Sequence, residues 1–502
     1  MKIKLIAPAR KPEYGEDFWD IGTAVRLHGK KTGGPYLSLY ILAALTPDNV
    51  EVAITDERIE QINFNERVDL VGITVVTSLA NRAYEIADEY RKRGIPVILG
   101  GIHVSLLPEE AIQHCDSVVI GEAEELWGQV VEDFQKGKLE RFYRASAFPE
   151  LTQSPIPKWD FLEPKAYSYF TLQIGRGCPF DCDFCMVKRF NGRVYRHKEI
   201  ERVISEIKLL KKLDPEKLIF FTDDNILAIP PFTKELLSRL IPLKMKAWWC
   251  QSSVNRLKDD RMLDLMYQAG CRVIFVGIES VSQKSIDSMN KGAVNKVDEY
   301  KDVIRKVHSH KMAVFGSFVF GNDTDDKTIF EETIKFIDET NIGFAMINIL
   351  TPPPGSRLFT RLEQENRIFH WEWWRYNTDT VCFQPKQMTP DQLYAGRHRV
   401  LNQIYSYDSL YKRWDALWSQ GVLCRQKKGF FAFCTKGRLL FTLLSLCSTD
   451  FKRMRFILRS LWNKNLSSVA SVDLGLSFHD YAYRFINKAH SKGLKSSFSS
   501  IS

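Results

Sequence analysis

Three of the chain's ten cysteines, Cys178, Cys182 and Cys185, fall within eight residues in the stretch "GCPFDCDFC". The other seven are scattered singly. A C-x3-C-x2-C spacing puts three thiolates on one tight loop after the strand-like run "YFTLQI". Structural zinc sites use four ligands, normally as two separated pairs. Protein-held [4Fe–4S] clusters usually use four cysteines. Three thiols therefore leave one iron of a cubane open, in the way catalytic metal sites keep a free coordination position. His197 is the residue that could complete a zinc site, at the far end of a long basic loop.

Repeated strand–helix units must position this loop. After it come "EIERVISEIKLLKKL", "KLIFFTDDN", "KAWWCQSSVN", "RMLDLMYQAG", "RVIFVGIES", "MAVFGSFVFGND" and "GFAMINIL", about six β/α units in all. In barrels of such units chemistry sits at the carboxyl ends of the strands. Those ends are polar here: Asp223, Asp224 and Asn225; Gln251, Ser252 and Ser253; Glu279; Asn322 and Asp323.

The first 145 residues carry Val/Ile/Leu-rich strands between helical patterns, which points to a parallel sheet buried on both faces. The order is that of a doubly wound, flavodoxin-like (Rossmann-like) domain, whose ligands bind beyond the strand ends. Thr74, Thr77 and Ser78, then Gly100, Gly101 and His103, then Gly121 and Glu122 stand there. Glycine and small hydroxyl residues let a large ligand approach the backbone. No GxGxxG follows the first strand, which argues against a dinucleotide.

"CPFDCDFC", with Phe184 directly before the last cysteine, resembles the signature of the radical S-adenosylmethionine (SAM) superfamily. The resemblance implies a [4Fe–4S] cluster on Cys178, Cys182 and Cys185, with SAM chelating the open iron and yielding a 5′-deoxyadenosyl radical. It also implies a partial (β/α)6 barrel, with SAM contacts at Phe184, Asp223, Asp224, Asn225, Gln251, Ser253 and Glu279. The second strand end reads "TDDN" where the family has Gly-Gly-Glu. Joined to the doubly wound domain, the chain resembles the cobalamin (B12)-binding radical SAM group over residues 1–385. "GGIHVSLLPEEA", "VVIGEAEELW" and "TPPPGSRLFTRLEQENRIF" belong to that likeness. Cobalamin is thus expected on Thr74, Thr77, Ser78, Gly100, Gly101, His103, Gly121 and Glu122. The first loop, "PARKPEYGEDFWDIG", lacks the cobalt-ligating His of a D-x-H-x-x-G motif, and His103 reads as a loop residue more than a cobalt ligand.

The expected organisation is a cobalamin-binding domain over 1–145, a linker over 146–165, a radical SAM barrel over 166–385 and a mainly helical region over 386–502. The net charge of +9 matches that of 421–470 alone, where ten Lys/Arg face one acid, Asp450. Within it Phe451, Met454, Leu458, Leu461 and Trp462 share one helical face. Such a basic amphipathic segment suits an anionic membrane surface or packing on the barrel. No apolar run reaches the roughly 18 residues of a membrane span, and the N-terminus reads as a strand rather than a signal peptide. The expectation is a cytoplasmic enzyme, peripheral on the inner face of the membrane if the basic segment binds there. Nucleic acid is not expected as a partner.

The function expected is methylation of an unactivated carbon of a hydrophobic, lipid-like substrate, with the methyl group carried by cobalamin and electrons from a flavodoxin or ferredoxin. Non-methylating cyclisation, rearrangement or carbon–carbon coupling is the alternative. A non-catalytic cobalamin or iron–sulfur binding protein is a third reading. The three tryptophans of "FHWEWWRYN" suit either the wall of an active-site mouth or domain packing.

Overall fold

The computed structural model describes residues 1–14 and 30–422. The basic segment 421–470 lies, beyond its first two residues, outside the described residues, as does part of the first loop. Among the described residues no helix is long and apolar enough to cross a membrane. The chain forms two compact units. One is built mainly from Lys31–Ile229 and Thr351–Phe383 with the first strand, the other from Pro230–Leu350 and the chain from Gln384 onward.

The first unit opens with β1 (Lys2–Ala7), α1 (Leu37–Leu45), β2 (Glu51–Asp56), β3 (Leu70–Thr74) and α2 (Ala80–Lys92). It continues through β4 (Val97–Gly100), α3 (Ile102–Leu106), β5 (Ser117–Ile120), α4 (Trp127–Gln135) and β6 (Phe142–Arg144). The strands form one sheet in the order β2-β1-β3-β4-β5-β6, every pair parallel. Their continuous apolar runs follow from burial on both faces: Leu5, Ile6, Leu70, Val71, Val97 and Leu99 are fully buried. Each such side chain contributes about 1.5–3 kcal/mol. The order reverses on either side of β1, and at such switch points open sheets bind ligands.

The same unit holds β7 (Tyr169–Leu172), β8 (Gly175–Arg176), β9 (Arg196–His197), α5 (Ile200–Leu213) and β10 (Leu218–Phe221). β7 and β10 are parallel neighbours. β8 and β9 form a two-residue antiparallel ladder, so the cysteine loop is an excursion from a small hairpin. Gly175 makes that hairpin close-packed, since a Cβ there would lie 2.6 Å from the Arg196 carbonyl oxygen.

The second unit contains α6 (Pro230–Leu240), β11 (Trp248–Ser252), α7 (Asp260–Gln268), β12 (Cys271–Glu279) and α8 (Gln283–Ser288). After these come α9 (Tyr300–Ser309), β13 (Ala313–Phe320), α10 (Thr328–Thr340) and β14 (Phe344–Ile349). Within it β11 to β14 pair in sequence order, all parallel. The last segment of the first unit adds α11 (Arg357–Gln364), and the second unit ends with α12 (Pro390–Ile404) and α13 (Tyr407–Ser419). Here α12 and α13 cover the free edge of β14. Arg397 donates to the Ile347 carbonyl at 2.7 Å, the Tyr405 hydroxyl to that of Ala345 at 2.6 Å, and Arg413 to that of Ile342 at 2.9 Å. Edge backbone groups without such cover invite pairing with other chains.

Candidate functional site

Beyond the ends of β3, β4 and β5, a cavity of ≈ 290 Å³ opens beside α1. Its floor is Gly72, Thr74, Gly100, Gly101 and Gly121; Leu37, Ile41 and Trp127 supply apolar walls. The glycines are required. Gly101 has φ +106, and a Cβ would stand 2.8 Å from the Val75 carbonyl oxygen. Gly121, at φ +94, turns the chain out of β5. Ser105 joins the two loops, donating to the Gly101 carbonyl at 2.7 Å and accepting from the Gly121 N–H at 2.9 Å.

Of the residues expected to hold cobalamin, Thr74, Gly100, Gly101, Gly121 and Glu122 line this cavity, while Thr77, Ser78 and His103 do not. The chain leaves β3 into a 3-10 turn over Thr77–Leu79. α3 carries His103 into the protein, where it is wholly buried with Nε2 3.2 Å from the Tyr84 hydroxyl and 3.6 Å from Glu110. A glycine-floored, apolar-walled recess with a few polar groups lets the flat face of a ligand approach the backbone.

Glu122 is held firmly. Its carboxylate accepts from Arg176 at 2.8 Å, from Arg196 at 3.0 and 2.5 Å, and from Asn191 at 3.2 Å. Arg176 also pairs with Glu124 at 2.5 Å. Burial opposes ionisation of Glu124, but the Arg176 charge prevails and keeps its carboxyl below the ordinary range. Arg176, Arg196 and Glu124 are residues that sequence reasoning missed. "IGRGC" carries a basic residue two positions before Cys178, with no local sign of its partners.

The three cysteines are half-buried on the loop that leaves β8. The Cys178 N–H donates to the Gly192 carbonyl at 3.2 Å and the Cys185 N–H to that of Cys182 at 3.1 Å. Gly177 admits the turn, since a Cβ there would meet the Val194 carbonyl oxygen at 2.3 Å. Burial pushes the Cys185 thiol up to about 12, and the charges of Cys182, Asp224 and Cys178 add to the shift. A nearby metal cation would stabilise the thiolate in such surroundings. Among the described residues no three His, Cys, Asp or Glu side chains are arranged to hold a metal ion, and the thiols are gathered on one loop without forming such a group. By residue type, number and burial they fit a cluster held one ligand short. His197 turns its Nδ1 to the Lys198 carbonyl at 3.0 Å.

Arg357, from α11, grips the same loop at its surface, contacting Asp181 at 2.9 Å and Asp183 at 2.7 Å. Asp223 and Asp224, adjacent in sequence, do different work. Asp223 is fully buried and accepts from Ile174 N–H at 3.1 Å, Gly175 N–H at 2.5 Å and the Tyr195 hydroxyl at 2.7 Å. Its carboxylate is occupied by the fold. Burial, with the Asp223 charge behind it, pushes Asp224 up to about 7 beside the cysteine loop. Asn225 follows, buried.

In the second unit Gln251 lies within β11, and the Ser253 hydroxyl donates to Asn255 at 2.8 Å. Glu279 ends β12 in the left-handed region at φ 63, a conformation costly for a non-glycine residue. Its carboxylate is buried against Lys291 at 2.5 Å. Of the three tryptophans, Trp373 donates to Glu110 at 2.7 Å and Trp374 stacks on Tyr14 at 5.1 Å, both packing within the first unit. Trp371 is half-exposed.

Three family models match: the Radical SAM superfamily over residues 172–337, the B12 binding domain over 33–131, and a domain of unknown function, DUF4070, over 356–472. The bacteriochlorophyllide d C-12(1)-methyltransferase of Chlorobaculum tepidum is 33% identical over 387 residues, 75% of this chain and 84% of the relative. The hopanoid C-2 methylase of Rhodopseudomonas palustris is 26% identical over 76% of this chain and 73% of the relative. Among solved structures, the radical SAM methyltransferase TsrM of Kitasatospora setae, with cobalamin and a [4Fe–4S] cluster bound, shares the fold. Its TM-score is 0.63 at 14% identity, covering 91% of this chain and 98% of that one. The chain belongs to the cobalamin-binding radical SAM enzymes, a methyltransferase family whose cofactors are a [4Fe–4S] cluster, SAM and cobalamin.

Proposed function

We propose that the chain methylates an unactivated carbon of a hydrophobic, lipid-like small molecule. One observation carries the site reading: the glycine-floored cavity and the three-cysteine loop belong to one compact unit and share Gln173 and Arg176 as wall and lead-in. The substrate class rests on the relatives, one named for bacteriochlorophyllide d and another for a hopanoid, a lipid. The organisation we assign is a cobalamin domain over 1–145, a linker over 146–165, the barrel over 166–385 and a helical region from 386.

In this reading Cys178, Cys182 and Cys185 hold the cluster, and the cavity with Thr74, Gly100, Gly101, Gly121 and Glu122 holds cobalamin. Bound there, the cofactors supply a 5′-deoxyadenosyl radical and a transferable methyl group. The chain's own residues orient and exclude water. Leu37, Ile41 and Trp127 keep the recess apolar, and the glycines permit close approach of a ring face. With SAM bound, Asp224 would meet its cationic amine, whose charge would return the carboxyl to the ionised form. Asp223 backs the strand instead, and Phe184 and Asn225 would contribute contacts to SAM. Gln251, Ser253 and Glu279 would serve the ribose and methionine portions of SAM, and Lys291 holds the Glu279 carboxylate. A flavodoxin or ferredoxin supplies electrons, and the 421–470 segment meets an anionic membrane surface.

The test uses anaerobically reconstituted protein, reduced and given SAM with a deuterated methyl group together with a lipid extract. The expected result is S-adenosylhomocysteine, 5′-deoxyadenosine and a lipid bearing the deuterated methyl. Deoxyadenosine without label transfer would replace the proposal with cyclisation or rearrangement, and the absence of both nucleosides would reject catalysis.

A further inference from the structure

Residues 173–176 lead from β7 into the cysteine loop and are fixed from two directions. On one side Asp223 takes the N–H groups of Ile174 and Gly175. On the other the Arg176 guanidinium spreads over three acceptors. Its Nε reaches Gln173 Oε1 at 2.7 Å, Nη1 reaches Glu122 at 2.8 Å and Nη2 reaches Glu124 at 2.5 Å. Arg196, the ladder partner of Arg176, bonds the same Glu122. Two arginines and two glutamates thus form a neutral network whose side chains are all about nine-tenths buried.

Four members of this neighbourhood, Gln173, Arg176, Glu122 and Glu124, also line the cavity. A ligand carboxamide there competes for the carboxylates and amide that Arg176 uses. Charge-assisted, forked hydrogen bonds are stiff and directional, so a change at one end moves the guanidinium as a unit. Two residues further on stands Cys178.

We propose that Arg176 is a positioning residue that carries the occupancy of the cavity to the cysteine loop, so that bound cobalamin alters the environment of the cluster. The inference rests on cobalamin occupying this cavity, and the experiment separates the two. Protein is reconstituted with iron and sulfide, with and without hydroxocobalamin. Binding is followed by quenching of the Trp127 fluorescence component, isolated against Trp127→Phe, and the reduced cluster by its EPR spectrum.

In the native chain cobalamin should quench Trp127 and shift the EPR signal. Arg176→Lys keeps the charge but loses the fork. It should hold the same iron per chain, still bind cobalamin, and show no cobalamin-dependent EPR shift at saturation. Glu124→Gln, which removes one carboxylate and keeps its shape, should show a reduced shift. A purely structural arginine would lower iron content without touching the shift. A shift of native size in Arg176→Lys would overturn the inference, as would native protein that binds cobalamin with an unchanged spectrum. Native protein with no Trp127 quenching would overturn the cavity assignment and this inference together.

Discussion

Two arginines hold the cysteine loop, and they do so in opposite physical regimes. Arg176 grips the loop's root from inside, with side chains at 10% exposure for itself, 2% for Glu122 and 9% for Glu124. Arg357 grips the loop's surface, at 50% exposure, with Asp181 and Asp183 at 27% and 29%. Both make forked contacts to two acids, so the geometry is alike and the solvent differs. An exposed pair is screened and contributes little. A buried pair can be nearly neutral relative to an apolar replacement of the whole, yet breaking it strands a charge. The root of the loop is therefore fixed by a penalty for leaving, while its tip is held more loosely.

The sharpest way to break the comparison is Arg176→Met. It leaves the two glutamates with Arg196 as the remaining cation of the network, and removing one partner of a buried pair costs about 3–5 kcal/mol. Denaturant unfolding should show that loss, and a change below about 1 kcal/mol would mean that water reaches the network. Next comes Gly101→Ala, which sharpens the role of the cavity floor. Its Cβ would meet Val75 N at 2.9 Å and O at 2.8 Å, in backbone that side chains rarely adopt. A cost of about 1–3 kcal/mol is expected, with weaker cobalamin binding by equilibrium dialysis. Unchanged affinity would mean that cobalamin does not lie on this floor.

Acid titration separates the regimes a third way. The Glu124 carboxyl is held below its ordinary value by Arg176 against the opposing effect of burial. Its contribution is full above the unfolded value, about 4.3, and is lost as the pH falls through the folded one. Asp181 is also held low, first by the Lys188 hydrogen bond, with Arg357 assisting. It is barely buried, so solvent screens its linkage. Glu124→Gln should flatten the acid limb of a stability–pH curve, whereas Asp181→Asn should barely alter it. Equal flattening would erase the distinction.

Much of this was legible in the sequence, and the failures have a common cause. Apolar runs gave the parallel strands because burial on both faces leaves no alternation to hide them. Gly100, Gly101 and Gly121 do line the cavity, and a strand end with no side chain leaves room for one. Thr77, Ser78 and His103 follow the same strands, yet the 3-10 turn and α3 carry them away from the cavity, and a list of strand-end residues cannot show a turn in direction. Asp223 and Asp224 look equivalent in "TDDN", and only the position of the β7–β8 backbone decides which one is occupied. Arg176, Glu124 and Arg357 were invisible for a further reason: Arg176 meets Glu122 across 54 residues and Arg357 meets Asp183 across 174, distances over which no periodicity reports.

Arg357→Ala is the smallest effect expected and the most telling about the tip of the loop. Asp181, chiefly through its hydrogen bond, and Asp183 raise the pKa of the Arg357 guanidinium, but half of its surface is in water. Removing it should cost no more than about 1 kcal/mol, and less still when salt screens the pair at high ionic strength. Lys188 stays 2.9 Å from Asp181, and the Leu358 N–H still donates to the Asp183 carbonyl at 3.0 Å, so the loop keeps two of its surface ties. Thermal unfolding at low and high salt measures both the size and its screening. A salt-independent loss near that of Arg176→Met would show that the tip is as tightly determined as the root, and the loop would then have to be read as one rigid piece.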